Sequence, residues 1–435
     1  MMMKLCLILS LFPMFLFGQK NTSKNLAKYM QAQVEINHFS GVVLVTQNGS
    51  VLLKKAYGLA NSEWNIKNTI DTKFQLASVT KQFTATAILQ LVEKGKVSLN
   101  DKLSNFFPDY PKADSVTIHM LLSHSSGLAL GFKELALTTI SVDSAYSEIK
   151  KIPYEFSPGT KSAYSNIGYY LLSRIIEQVS GETYPDYLRK NIFEKVGMKN
   201  TGVSNNDSII SKKAQVYYRT ENGFIHNPYI NWAVNVGHDG VYSTVDDLAL
   251  WDKALNESSI LSEELKRSMF TAHNDQNWGY GFIINPFYNH GHQLIAHDGG
   301  FFGTMTSFNR FTDDKILVTV LSNNESESYI IAYGLSGIVF QKDFKLPYKH
   351  LQVKIDPVVY DKYAGKYGEI EILNSDGKLY YNSTEMELLP ESETKFFRAD
   401  NSDRTIEFIS DEFGIYNTII RTKGGIKEVI KRDLP

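Results

Sequence analysis

The sequence predicts an α/β fold carrying an all-α region, followed by a small antiparallel, barrel-like β domain. Three observations carry that reading. Strand-rich runs lie at 41–58 and again at 280–321, while the stretch between them is helix-periodic or loop-like. Both strand groups can complete one sheet with the helical part beside it. Lys342 to Pro357 is polar, aperiodic and contains Pro347 and Pro357, which reads as a linker. Beyond it, short alternating runs separated by Asp376-Gly377 and Gly424-Gly425 read as a separate unit of several strands.

Composition sets the outer bounds. Of 435 residues, 43% are hydrophobic and 21% charged, enough apolar content for a core and too little charge for a disordered chain. A net charge of -2 excludes an electrostatic nucleic-acid binder, which needs a basic excess. The lone cysteine, Cys6, excludes a disulfide framework and a cysteine zinc site. Residues 1–18 are expected to be a signal peptide. Lys4 supplies the positive start, and Leu5 to Phe17 is an apolar run too short to span a bilayer, which takes about 20 residues. A soluble exported protein is expected, periplasmic or extracellular, with no integral membrane segment after cleavage.

The elements follow in order. Leu26, Met30 and Val34 recur every four residues and suggest a helix. Val42–Val45 and Val51–Leu53 flank Asn48-Gly49, a pair suited to the positive φ angles of a tight hairpin turn. Val79 to Lys94 carries one apolar stripe, and Gly95 stops it. Ile167 to Val179 is the clearest helix of the middle region, ending at Gly181. Thr244 is a good N-cap for Val245–Leu255, with Asp246 and Asp247 in the first turn. Tyr280–Asn285, Gln293–His297, Thr304–Phe311 and Lys315–Leu321 are β-rich, and Ser328 to Phe340 reads as a closing helix. The expected organisation is a signal peptide at 1–18, a main α/β domain at 19–341 with its helical insertion at about 76–230, a linker at 342–357 and a β domain at 358–435.

With no cysteine after export, covalent chemistry would need Ser, Thr, Lys or a carboxylate. Ser78-Val79-Thr80-Lys81 puts a hydroxyl and an amine on one helical face, at a helix N-terminus whose field favours negative charge. Ser147/Lys150, Ser375/Lys378 and Ser392/Lys395 share the spacing, but only Ser78 opens a long amphipathic helix. Tyr164-Ser165-Asn166 follows Pro158-Gly159 and precedes a helix. A tyrosine near a lysine can take the serine proton, and Asn can bond an amide carbonyl. Tyr229-Ile230-Asn231 and Tyr380-Tyr381-Asn382 have the same form. His297-Asp298-Gly299-Gly300 ends one strand before another, where a cation could stabilise charge and glycines let substrate approach. His238-Asp239-Gly240 is its rival. His290 and His292 with His297 could suggest a metal, but no cysteine and no His-Glu-x-x-His helix supports one. No cofactor is expected.

In order, Ser-x-x-Lys, Tyr-x-Asn and His-x-Gly resemble the serine β-lactamase-like hydrolases: class C β-lactamases, D-aminopeptidases and esterases of the penicillin-recognising group. Phe74 to Lys81, Glu93 to Leu103, Leu121 to Leu128, Pro158 to Gly181, Val196 to Thr201 and Val241 to Trp251 are similar to that family's segments over about residues 25–340. The resemblance implies a β-lactamase/transpeptidase-like fold, with the site between the sheet and the all-α region. It implies Ser78 as nucleophile, Lys81 as its partner and Tyr164 as the general base that passes the proton to the leaving group. Asn166 would hold the substrate amide, and Gly299 and Gly300 would border it. The backbone N–H groups of Ser78 and Gly300 would form an oxyanion hole. His297 stands where lactamases have lysine. With an ordinary pKa of about 6.5 it would offer less charge, and its protonation is expected to shape the pH–rate profile. The implied activity is hydrolysis of a small-molecule or short-peptide ester or amide. A peptidoglycan DD-carboxypeptidase or transpeptidase, and a catalytically silent binding protein on the same scaffold, are the alternatives. The oligomeric state is left undefined.

Overall fold

The structure, a computed structural model, describes residues 11–433 apart from 221–222, 258 and 400–402, with side chains from residue 21 onward. The chain forms two compact units. One is Phe39–Tyr329; the other joins the segment before Phe39 to the segment after Tyr329. Residues 1–10 of the expected signal peptide lie outside the described residues. Among the described residues, no helix is long and apolar enough to cross a membrane.

The Phe39–Tyr329 unit is built on a six-stranded antiparallel sheet. Its strands are β1 (Gly41–Gln47), β2 (Ser50–Tyr57), β3 (Ile283–Ile284), β4 (Leu294–Phe301), β5 (Thr304–Phe311) and β6 (Ile316–Ser322), in spatial order β3-β4-β5-β6-β1-β2. The two strand groups that sequence places at opposite ends of the domain therefore meet at one seam. Along it Val43 faces Val320 and Val45 faces Val318. The β1–β2 turn uses Asn48 and Gly49 at φ 51° and 75°, the left-handed pair that lets two strands reverse without splaying. β1 and β6 are buried on both faces at most positions, so their runs are continuously apolar rather than alternating.

The helix Lys81–Glu93 crosses the middle of this unit. Its sequence suggests one apolar stripe, yet every residue from Lys81 to Leu91 is buried. Several polar side chains find partners inside: Trp251 Nε1 donates to Gln82 Oε1 at 2.9 Å, and Thr84 Oγ1 donates to the Gly237 carbonyl at 2.6 Å. One core connects Val42, Leu44, Phe308 and Leu317 of the sheet to Phe83 and Leu91 of this helix and to Leu171 and Ile175 of helix Asn166–Ser180. Burying each such side chain contributes about 1.5–3 kcal/mol before entropy is counted. That helix starts and stops as the sequence predicts. Ser165 caps it by accepting from Gly168 N, and Gly181 ends it at φ 72°. Thr244 likewise accepts from Asp247 N to cap helix Val245–Asn256.

The second unit holds an eight-stranded antiparallel meander between Gly365 and Lys431, each strand beside its sequence neighbour. It is barrel-like: the Asp433 N–H donates to the Lys366 carbonyl at 2.8 Å, linking the last segment to the first strand. Asp376-Gly377 and Gly424-Gly425 form turns at positive φ. Tyr363, Tyr367, Phe396 and Phe408 fill its core, with Tyr363 and Phe408 stacked at 4.3 Å. The helix Leu11–Asn37 belongs to this unit. Gln33 and Asn37 both donate to Asp403 Oδ2, at 2.8 and 3.0 Å. Gly334 sits so close to Tyr29 and to the Gly424 carbonyl that a Cβ would lie 2.3 and 2.4 Å from them. The compact grouping thus divides the chain at 38/39 and 329/330. The terminal helices, which sequence assigns to the hydrolase domain, group with the C-terminal sheet instead.

Candidate active site

Ser78 is delivered by a strained turn. Ala77 before it has φ 48°, a left-handed conformation that costs a residue with a Cβ about 1–2 kcal/mol. Ala77–Thr80 is a 3₁₀ turn that feeds helix Lys81–Glu93. In 3₁₀ geometry residues i and i+3 eclipse, and Lys81 Nζ donates to Ser78 Oγ at 3.2 Å. The spacing argument therefore holds through a tighter turn than the α-helical one expected. Two neighbours fix the turn. The Leu76 carbonyl accepts from Thr306 Oγ1 at 2.8 Å, and the Leu76 N–H donates to the Val241 carbonyl at 2.8 Å.

Lys81 is fully buried. Its amine also donates to the His238 carbonyl at 3.1 Å and lies over the rings of Tyr164 and Tyr169, at 4.8 and 5.6 Å. Burial disfavours its charged form and pushes its pKa down to about 7, against the opposing pull of the Asp239 carboxylate. Tyr164 is half-buried, and desolvation drives its phenol well above the ordinary value. The amine meets its ring face, and the Ser78 hydroxyl opposes the upward shift of the phenol. Near neutral pH the phenol keeps its proton while the amine can lose its own, so Lys81 is the member of the pair free to accept one.

Asn166 opens helix Asn166–Ser180, and its N–H is tied to the Leu130 carbonyl at 2.6 Å. Its Oδ1 has no partner among the described residues, and it borders a cavity of about 640 Å³ together with Ser78, Tyr164, Asp239, Gly300 and Met305. Buried acceptors are rarely left unpaired in native proteins, so this oxygen is suited to a ligand N–H.

His297 is not among the residues that border the cavity. It lies on β4 behind Tyr164, ring centroids 6.1 Å apart, and is only 4% exposed. Its Nδ1 donates to the Asp298 carbonyl at 2.6 Å, and its Nε2 has no partner among the described residues. Burial, with Lys81 nearby, lowers its pKa to about 3. Burial therefore favours the neutral imidazole over the expected cation. Asp298 turns elsewhere, accepting from Ser307 and Tyr288 at 2.6 Å each. Gly300 borders the cavity, but Gly299 does not. A Cβ at Gly299 would lie 2.4 Å from both the Leu76 carbonyl and Thr306 Oγ1. Gly299 is there so that β4 can approach the turn carrying Ser78.

The site also contains a group that sequence reasoning left as a rival motif. Ser78 Oγ donates to Asp239 Oδ1 at 3.2 Å. His238 Nε2 lies 3.5 Å from Asp239 Oδ2, and burial lowers the His238 pKa to about 4. The loop carrying both residues is bonded to the nucleophile turn: Gln75 Nε2 donates to the Asp239 carbonyl at 2.7 Å, and Thr80 Oγ1 accepts from Val241 N at 3.0 Å.

A family model described as Beta-lactamase matches residues 26–332. The chain belongs to the Beta-lactamase family. Among curated proteins it is similar to Penicillin-binding protein 4* of Bacillus subtilis (strain 168), at 28% identity over 95% of this chain and 99% of that protein. It is also similar to Teichoic acid D-alanine hydrolase of Staphylococcus aureus, at 25% identity over 69% and 73% of the two chains. Among solved structures, an octameric penicillin-binding protein homologue from Pyrococcus abyssi matches with a TM-score of 0.67 and 26% identity, covering 94% of this chain and 99% of that one. In this member of the Beta-lactamase family, Ser78, Tyr164 and Asn166 border one cavity, and the buried Lys81 amine reaches Ser78 Oγ behind its wall. A lysine amine in contact with a serine hydroxyl at a cavity wall is an arrangement that can deprotonate the hydroxyl.

Proposed function

We propose that the chain is an exported serine hydrolase that cleaves a small-molecule or short-peptide ester or amide through an acyl-enzyme on Ser78. The observation that carries this reading is the Ser78 hydroxyl in contact with the buried Lys81 amine at a cavity wall. The neutral Lys81 amine takes the hydroxyl proton as Oγ bonds to the carbonyl carbon. Backbone N–H groups of Ser78 and Gly300 receive the developing oxyanion, a contribution of about 3–4 kcal/mol per donor. The leaving group departs with a proton passed through Tyr164, which Lys81 replenishes. Water then attacks the ester, releases the acid and returns the proton to Ser78. Asn166 holds the substrate amide. No cofactor takes part in these steps.

Similarity to penicillin-binding proteins supports a second reading, a DD-carboxypeptidase or transpeptidase. The neutral His297 weighs against it, because it offers no charge to a substrate carboxylate. A fluorophosphonate probe followed by peptide mass analysis tests the nucleophile: the adduct is expected on Ser78 and absent from Ser78→Ala. An unlabelled wild-type protein would mark a silent binding scaffold. A panel of a D-Ala-D-Ala peptide, a D-amino-acid amide, a short acyl ester and a cephalosporin then separates the substrate classes.

A further inference from the structure

Asp239 is 2% exposed, borders the cavity and is in hydrogen-bond contact with the nucleophile itself. That contact is temporary by construction. In the free protein, Oδ1 accepts the Ser78 hydroxyl proton. Once Ser78 is acylated its oxygen carries no hydrogen, and a buried carboxylate oxygen loses its donor. An unsatisfied buried charge is costly, so a substrate that brings its own donor to Oδ1 is favoured at that moment. An α-ammonium group fits. It is two bonds from the carbonyl carbon that joins Oγ, so it falls within reach of a carboxylate that already touches Oγ.

The other charges near the reacting atoms agree. The buried His297 donates its Nδ1 hydrogen to the Asp298 carbonyl, and burial disfavours its charged form. Among the charged side chains bordering the cavity, Glu134, Asp239 and Glu325 outnumber Lys133, which lies over the Phe302 ring. A carboxylate beside the scissile bond would meet like charge at Asp239, and the nearest cation, the Lys81 amine, is already held by Ser78 Oγ and the His238 carbonyl.

We propose that Asp239 is the specificity-determining residue of the site: it pairs with a free ammonium next to the scissile carbonyl, so that Ser78 accepts aminoacyl esters and amides ahead of their N-acylated or des-amino counterparts. This rests on the acyl-enzyme reading of Ser78.

The test compares alanine p-nitroanilide (each enantiomer), N-acetylalanine p-nitroanilide and propionyl p-nitroanilide. It is run at about pH 7.5, where an α-amino group of pKa about 7.7–8.0 is still largely protonated. The readout is the ratio of kcat/KM for the free amine to that for each uncharged partner. Wild type is expected to prefer one free-amine enantiomer by roughly 30-fold or more. In Asp239→Asn that ratio collapses toward one, whatever the absolute rates do, and Asp239→Glu restores part of it. No preference in wild type overturns the proposal without recourse to any variant. A preference that survives Asp239→Asn, or a variant that slows all substrates by one common factor, overturns it as well. Fluorophosphonate labelling separates the two levels. Labelled Ser78 with no amine preference sinks the role of Asp239 alone, whereas unlabelled wild-type Ser78 sinks the acyl-enzyme reading and this one with it.

Discussion

Lys81 governs the site through its environment rather than its identity. Only the neutral amine can accept the Ser78 proton, and burial holds its pKa at about 7. Activity should therefore fall as pH drops through that value and be full above it. The kcat/KM profile is expected to show one acid limb near pH 7. Asp239→Asn removes the charge that favours protonated Lys81, so the limb should move to lower pH; a limb that stays in place or rises contradicts the pairing. His297→Asn should leave the limb where it is, since burial keeps that imidazole neutral throughout. Lys81→Met removes the base altogether, and about 10²–10⁴-fold of kcat should go with it, the usual worth of a positioned base. Gly299→Ala acts by shape. Its Cβ must displace the Leu76 carbonyl or Thr306, at a cost of about 1–3 kcal/mol and with slower labelling of Ser78. Chemical denaturation and probe kinetics read the two effects separately.

At the scale of elements, caps hold the site together. The Ser165 hydroxyl donates to the Ala129 carbonyl at 2.8 Å and accepts from Gly168 N at 3.2 Å, directly between Tyr164 and Asn166. Ser165→Ala should cost about 1 kcal/mol of stability. It should also raise KM more than it lowers kcat, because Asn166 is displaced while Ser78 and Lys81 are not. Equal changes in both parameters would argue against a holding role for Asn166. Such caps are legible in sequence, as are the Asn48-Gly49 hairpin and the long helices, because each has a local cause: a positive-φ turn, a side-chain acceptor or a 3.6-residue period. The contacts of Asp239 have no local cause. They depend on Leu76 pairing with Val241 and on Gln75 reaching the Asp239 backbone, across more than 160 positions of chain. The short strands Phe74–Gln75, Gly202–Val203 and Val241–Ser243 that make this junction hold two or three residues each, too few to show alternation. The state of His297 was illegible for a related reason. A His-x-Gly motif gives the residue type, while its neutrality comes from burial behind Tyr164.

At the scale of the whole chain, the two ends form one compact unit, and this changes what a truncation means. A cut after residue 345 looks from composition like removal of an appended module. In the structure it would strip Asp403 from Gln33 and Asn37, and Gly424 from its close packing on Gly334 and Tyr29. Gln33 is 1% exposed, so its amide would lose a buried partner, and Leu26, Tyr29 and Met30, now buried, would face altered surroundings. Leaving one buried polar group unsatisfied costs about 1–3 kcal/mol, and several such losses approach the whole stability of a domain, about 5–15 kcal/mol. Deleting 346–435 should therefore lower the melting temperature and raise protease sensitivity within residues 21–38. Asp403→Ala, which removes one acceptor shared by two donors, should reproduce a fraction of that loss with every strand retained. A truncated chain that melts like the full one, with 21–38 still protected, would mean that the terminal helices are stable without the C-terminal sheet.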